Sequence, residues 1–129
     1  MSAPRRLHWG CGAVTPPGWV NSDARRGPGV DLVCDIRDGL PVPDASFDYA
    51  VSIHALQDLP YFDVVPALRE LRRVLVVGGV LRLAVPDLER AIQAYVRGDR
   101  DYFLVPDTHV RSIGGKLCVQ MLLVSSSRR

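Results

Sequence analysis

The chain has 129 residues, 47% hydrophobic and 23% charged, with a net charge of +2. That is the size and mix of one globular domain with a real core. The charge excess is too small to argue for a nucleic-acid surface.

The 16 basic residues are scattered or paired, and all are arginine except Lys116. No stripe of them is interleaved with aromatics, so they read as solvated surface and no nucleic-acid partner is expected. Cys11, Cys34 and Cys118 are odd in number and widely spaced, without a CxxC pair or a Cys/His cluster. This argues against a metal site or a disulfide framework and for a reducing, cytoplasmic setting. No apolar stretch of signal-peptide length follows MSAPRR, and the longest apolar segment, Leu117 to Val124, is too short to span a bilayer. No membrane partner is expected.

In chain order, Leu7–Trp9 predicts a short strand ending at Gly10-Cys11-Gly12. Trp19–Ser22 predicts a second strand closed by Asp23, and Val30–Cys34 a third closed by Asp35. Phe47–Ile53, rich in aromatic and β-branched residues, predicts a fourth. A less regular helix falls around Ala55–Leu59. The spacing of Val64, Leu68, Leu71 and Leu75 predicts a helix from Val64 to Leu75, with Asp63 as its N-cap and Pro66 in its first turn. Val80–Val85, after Gly78-Gly79, predicts a fifth strand. Leu88–Arg97 predicts a helix capped by Asp87, stopped by Gly98, and buried through Leu88, Ile92 and Tyr95. Leu117–Val124 suits one more strand or short helix, and 125–129 a disordered tail.

Strands alternating with helices predict an α/β fold, a doubly wound and mostly parallel sheet in a single domain spanning 1–129. Ligands of such sheets bind at the carboxyl ends of the strands. Those ends hold the glycine turn, Asp23, Asp35 and Ser52 to His54.

A pyrophosphate loop needs a helix N-terminus behind its glycines. Here Thr15 stands where a third glycine would be, and Pro16-Pro17 block an immediate helix. This disfavours a nicotinamide-dependent oxidoreductase. Asp23 is placed to accept from both hydroxyls of a ribose. Asp35 is placed to accept from an exocyclic amine of adenine, with Ile36 packing on the ring. Taken singly, each acid is about as readily a turn residue. Together they describe a nucleoside site with no phosphate grip, which suits S-adenosylmethionine.

The stretches LHWGCG, PGWVNSD, DLVCDIRDGLPVPDASFDYAVSIHALQDL and ALRELRRVLVVGGVLRLAVPDLERAI resemble the class I S-adenosylmethionine-dependent methyltransferases. The match is to the bacterial type 11-like branch with a short first loop, over residues 7 to about 103. The resemblance implies a Rossmann-like methyltransferase fold, C-terminally short and lacking the last two strands. It implies that Gly10, Cys11 and Gly12 lie against the methionine part of the cofactor, Asp23 at the ribose, and Asp35 with Ile36 at the adenine. Ser52 to His54 would close the pocket beside the methyl group. Where relatives read LEHL this chain has Leu56-Gln57-Asp58-Leu59, and where they read KPGG it has Val76-Val77-Gly78-Gly79.

The function expected is methyl transfer to a small-molecule acceptor. His54 is the candidate general base for an acceptor that needs one. Cys11, with no visible base partner, reads as a packing residue. The alternative is a non-catalytic or partner-dependent S-adenosylmethionine-binding module. An apolar Leu117–Val124 beside an uncovered sheet edge predicts a homodimer.

Overall fold

The computed structural model describes residues 2–121. The chain forms two compact units, Met1–Ala84 and Val85–Arg129, where the sequence suggested one domain over 1–129.

The first unit is a five-stranded parallel sheet. Its strands are β1 (Arg6–Trp9), β2 (Val20–Asp23), β3 (Leu32–Val33), β4 (Phe47–Ile53) and β5 (Leu75–Ala84), arranged in the order β3-β2-β1-β4-β5. Sequence and structure agree on β4 to the residue. The third strand shrinks from the predicted Val30–Cys34 to Leu32–Val33, an edge strand with a neighbour on one side only. The fifth begins earlier than predicted. Phe47 pairs with Leu75 and Tyr49 with Val80, so Val76 to Gly79 bulge out opposite Asp48 alone.

Register fixes which side chains meet. Leu7 lies between Val20 and Ala50, while His8 lies between Asn21 and Val51. Alternation therefore sends Leu7 and Trp9 to one face and His8 to the other. On the first face, Leu7, Trp9, Ile36, Leu40, Phe47 and Ala50 pack against Ala67, Leu71 and Val74 of helix α1 (Tyr61–Val74). On the second, Trp19 lies edge-on to His8 and Tyr49, with ring centroids 6.3 and 5.7 Å away. The linker from β1 to β2 thus covers β1 with one indole instead of a helix.

Helix α1 starts at Tyr61 behind Pro60, three residues before the predicted start. Asp63 is therefore in its first turn rather than at its cap, and Pro66 lies inside the helix. The buried face is Ala67, Leu71 and Val74 instead of Val64, Leu68, Leu71 and Leu75. The segment around Ala55–Leu59 is a single 3-10 turn, Leu56–Asp58.

A polar latch binds the loop before β4 to α1. Arg73 donates to the carbonyls of Val42 (2.9 Å) and Leu40 (3.0 Å) and to the carboxylates of Asp44 (2.7 Å) and Glu70 (2.6 Å). Glu70 in turn accepts the Leu40 N–H at 2.7 Å. This satisfies backbone groups that burial would otherwise leave orphaned.

The second unit holds helices α2 (Leu88–Arg97) and α3 (Ile113–Met121). Asp87 and Gly98 cap α2 as predicted, but its buried residues are Ala91 and Ala94, while Leu88, Ile92 and Tyr95 are exposed. Small residues let Phe103 and α3 approach closely, and Ile113, Leu117 and Met121 complete that cluster. Leu117, expected at a subunit interface, is thus used inside its own unit. The remainder of that apolar segment, 122–124, and the predicted tail lie outside the described residues. Lys116 is only 3% exposed, bonding the Val105 carbonyl and the Asp107 carboxylate, which Arg100 also contacts at 2.9 Å.

The latch should govern acid stability. Arg73→Met strands the half-buried Glu70 and the Val42 carbonyl and should cost about 2–4 kcal/mol in denaturant unfolding. Hydrogen bonding from Arg73 holds the Glu70 carboxyl below its ordinary range, against a smaller opposing effect of burial. Its contribution is therefore complete above the usual glutamate pKa and is lost as pH falls through the depressed folded value. Arg73→Met should show a flatter loss of stability in acid than the parent.

Candidate functional site

The site begins where β1 stops. Gly10 and Gly12 both take left-handed backbone, φ +67° and +56°. Cys11 N–H donates to Ser22 O at 3.0 Å, and Val14 N–H to Cys11 O at 3.0 Å. The turn is therefore pinned to the neighbouring strand and closed on itself. Its next amide, Gly12 N–H, donates to Asp23 Oδ2 at 2.8 Å. The glycine turn and the acid ending β2, separate signals in the sequence, form one hydrogen-bonded unit.

The two glycines serve different needs. A methyl group on Gly10 would stand 2.3 Å from Ala55 Cβ, so the chain after β4 packs directly on this backbone. At Gly12 nothing lies within 4 Å of that position. The space over Gly12 is open, bordered by its own backbone and the Asp23 carboxylate.

Asp23 keeps acceptor capacity. One oxygen takes Gly12 N–H and the other takes Arg25 N–H at 2.9 Å, which leaves a lone pair on each. Cys11 is buried, and desolvation first, with the Asp23 carboxylate second, pushes its thiol above the ordinary range.

At the end of β4, Ser52 is 1% exposed, and its hydroxyl has no hydrogen-bond partner among the described residues. That oxygen lies 3.8 Å from where a Gly10 methyl would be. His54 is exposed and takes a left-handed backbone, φ +55°, unusual for a residue with a Cβ. Two bonds hold it there, His54 N–H to Ala84 O at 2.8 Å and Gln57 Nε2 to His54 O at 3.1 Å. Strained non-glycine backbone of this kind gathers at functional sites.

The end of β3 departs from expectation. Asp35 caps the single turn Ile36–Asp38, accepting Arg37 N–H at 3.0 Å. The Arg37 side chain also folds back on the same carboxylate through Nε and a terminal nitrogen. Asp35 is thus engaged on both oxygens, and the Arg37 bonds hold its carboxyl below the usual range against the opposing effect of burial. Ile36 is 4% exposed and belongs to the core with Leu7 and Leu71. Its side chain packs into the core in place of standing open at the strand end.

Sequence reasoning passed over Arg25, Arg37 and Asp58. Burial raises the Asp58 carboxyl above its ordinary range, Arg25 opposes that shift, and Asp23 adds to it. Asp58 therefore shares the field of the Asp23 and Arg25 charges. The departure from LEHL was its only trace in the sequence. Among the described residues, no group of three or more His, Cys, Asp or Glu could hold a metal ion. No helix among them is long and apolar enough to cross a membrane.

A parallel sheet in this order, with a glycine turn and carboxylates at its carboxyl edge, defines a Rossmann-like α/β fold. Residues 8–83 match the family model described as a methyltransferase domain, and the chain belongs to that family. No curated protein matches the sequence. Among solved structures it is similar to a candidate type II methyltransferase from Anaeromyxobacter dehalogenans, at 24% identity and TM-score 0.48, over 79% of this chain and 52% of the other. It is also similar to a candidate methyltransferase from an antibiotic-biosynthesis pathway of Anabaena variabilis, at 16% identity and TM-score 0.48, over 94% of this chain and 56% of the other. The chain spans little more than half the length of either.

Two substitutions test the geometry without a ligand. Gly10→Ala meets both left-handed backbone and Ala55, and should destabilise by about 2–4 kcal/mol. Gly12→Ala meets only the backbone penalty, about 1 kcal/mol. Equal losses in chemical denaturation would contradict the close approach at Gly10. His54→Gly should relieve backbone strain and raise stability by about 1 kcal/mol, read from the same titrations against His54→Ala, which should not.

Proposed function

We propose that this chain binds S-adenosylmethionine at the carboxyl edge of its parallel sheet and serves methyl transfer to a small-molecule acceptor. The observation that carries the reading is the bond from Gly12 N–H to Asp23 Oδ2, 2.8 Å long. It holds a carboxylate with free lone pairs beside open, side-chain-free backbone. That combination suits a ribose whose neighbouring chain carries no phosphate, and it offers no helix N-terminus for one.

The residues present fit such a group. Asp23 would accept from the ribose hydroxyls, and Gly10, Cys11 and Gly12 would lie along the methionine part. The unpartnered Ser52 hydroxyl, buried against the turn, is available to a polar ligand atom. Asp35 stands at the strand end expected to meet the adenine amine. When bound, the cofactor supplies an activated methyl on a sulfonium. The protein's task is then to hold donor and acceptor in line.

His54 is an exposed residue just past the end of β4 and the candidate base for an acceptor that must lose a proton. A carboxylate or thiolate acceptor would need none. The acids near the turn, Asp23 and Asp58, make the local field negative apart from Arg25, which suits a cationic sulfonium.

Calorimetric titration tests this directly. S-adenosylmethionine and S-adenosylhomocysteine should both bind, and NAD should not. Asp23→Ala should weaken both by about 1–3 kcal/mol, the usual loss for hydrogen bonds to a charged group. An unchanged affinity in a folded Asp23→Ala protein removes Asp23 from the site. Binding without transfer to any of a panel of hydroxyl, amine and thiol acceptors would leave a cofactor-binding module in place of an enzyme.

A further inference from the structure

Asp35 is the acid expected to accept an adenine amine, yet its carboxylate is already engaged. Oδ1 accepts from Arg37 N at 3.0 Å and Arg37 Nε at 2.9 Å. Oδ2 accepts from Arg37 Nε at 3.1 Å and from a terminal guanidinium nitrogen. A carboxylate offers about four acceptor positions, and one arginine contacts them from two sides. Three N–H groups, one of them shared by both oxygens, take up most of those positions, so an incoming N–H crowds against Arg37 while it stays.

Arg37 has somewhere else to go. Its other terminal nitrogen lies 3.7 Å from Asp63 Oδ2, on the first turn of α1. The guanidinium therefore sits between two carboxylates, close on Asp35 and at longer range on Asp63. Moving toward Asp63 keeps it paired and exposes an oxygen of Asp35. The side chains of Arg37 and Asp35 are 28% and 29% exposed, so the exchange happens at a surface open to solvent, without unpacking the core.

We propose that Arg37 is an exchangeable occupant of the base-binding end of the site, leaving Asp35 for Asp63 when a ligand brings an N–H donor. The proposal rests on the reading of Asp35 as the carboxylate that meets the adenine. Arg37 then sets specificity in a way that Asp35 alone does not. A base with an exocyclic amine can replace the guanidinium as donor. A base with a carbonyl at that position cannot, and instead meets the guanidinium as an acceptor would. Affinity for an amine-bearing nucleoside is reduced by the fraction of time Arg37 occupies its place, as for any binding state that is only partly populated.

The test uses two probes, S-adenosylhomocysteine and its deaminated form S-inosylhomocysteine, titrated into the full chain and into Asp35→Asn, Arg37→Met and Asp63→Asn. Arg37→Met should tighten the adenosyl probe on the order of tenfold, the worth of one charge-assisted hydrogen bond, and leave the inosyl probe no tighter. Asp63→Asn, which removes the second seat, should weaken the adenosyl probe several-fold. Asp35→Asn should weaken it too. A merely structural role for Arg37 would move both probes alike. If Arg37→Met fails to tighten the adenosyl probe while Asp35→Asn weakens it, the reading of Asp35 stands and the exchange is overturned. If Asp35→Asn has no effect, or the adenosyl probe does not bind the parent chain, both fall. Thermal melts establish folding of each variant. Should Arg37→Met lose its fold, Arg37→Gln must give the same order of affinities.

Discussion

The hydrogen bond between Gly12 N–H and Asp23 Oδ2 is the constraint on which the site depends. A turn of two left-handed glycines has high conformational freedom when unfolded and little reason to hold one shape. Here its first half is tied to β2 by Cys11 N–H on Ser22 O and its second half by the Asp23 carboxylate. The sheet register places Trp9 opposite Ser22, so Asp23 arrives one residue beyond the end of β1. Turn geometry, sheet register and a charged acceptor are therefore one object, and disturbing any of them disturbs the others.

The rest of the first unit is arranged around that edge. The core behind it is made with α1, whose Ala67, Leu71 and Val74 are buried. In the loop carrying Leu40 to Asp44, the Leu40 carbonyl also takes the Val42 N–H and the Pro43 carbonyl takes the Ser46 hydroxyl, while the Val42 carbonyl is held by Arg73. Its polar latch is half-buried, which makes the bonds stronger than surface ion pairs and their loss more costly. Left-handed backbone at a residue with a Cβ occurs at Ala45, beside the latch, and at His54, where the Ala84 carbonyl and the Gln57 amide hold the backbone in glycine's territory.

Much of the fold is legible in the sequence because its signals are local. The β4 strand has aromatic and β-branched residues between turns, and α2 has its Asp87 cap and Gly98 stop written into neighbouring residues. Other features depend on distant partners. Asp63 looks like a helix cap until the structure shows it opposite Arg37, with Pro60 ending the preceding extended backbone. The buried face of α2 was misread because large apolar residues dominate a periodicity count, whereas Phe103 and α3 need the small Ala91 and Ala94. At the site, the sequence places Gly12, Asp23 and Ser52 together at strand ends. It cannot reveal that an arginine two residues on folds back over Asp35, or that Ile36 turns into the core.

The lysine of the second unit has a consequence of a different kind. Lys116 is the only lysine in the chain, and its amine is enclosed against the Val105 carbonyl and the Asp107 carboxylate. Acylating reagents need a free, uncharged amine with room for approach from one side. The folded second unit leaves no room for that approach, so side-chain acylation has to wait for the Arg100–Asp107 corner to open. The chain thus carries a built-in chemical clock: the rate at which this one amine is modified reports how often its surroundings come apart, with no label introduced and no residue replaced.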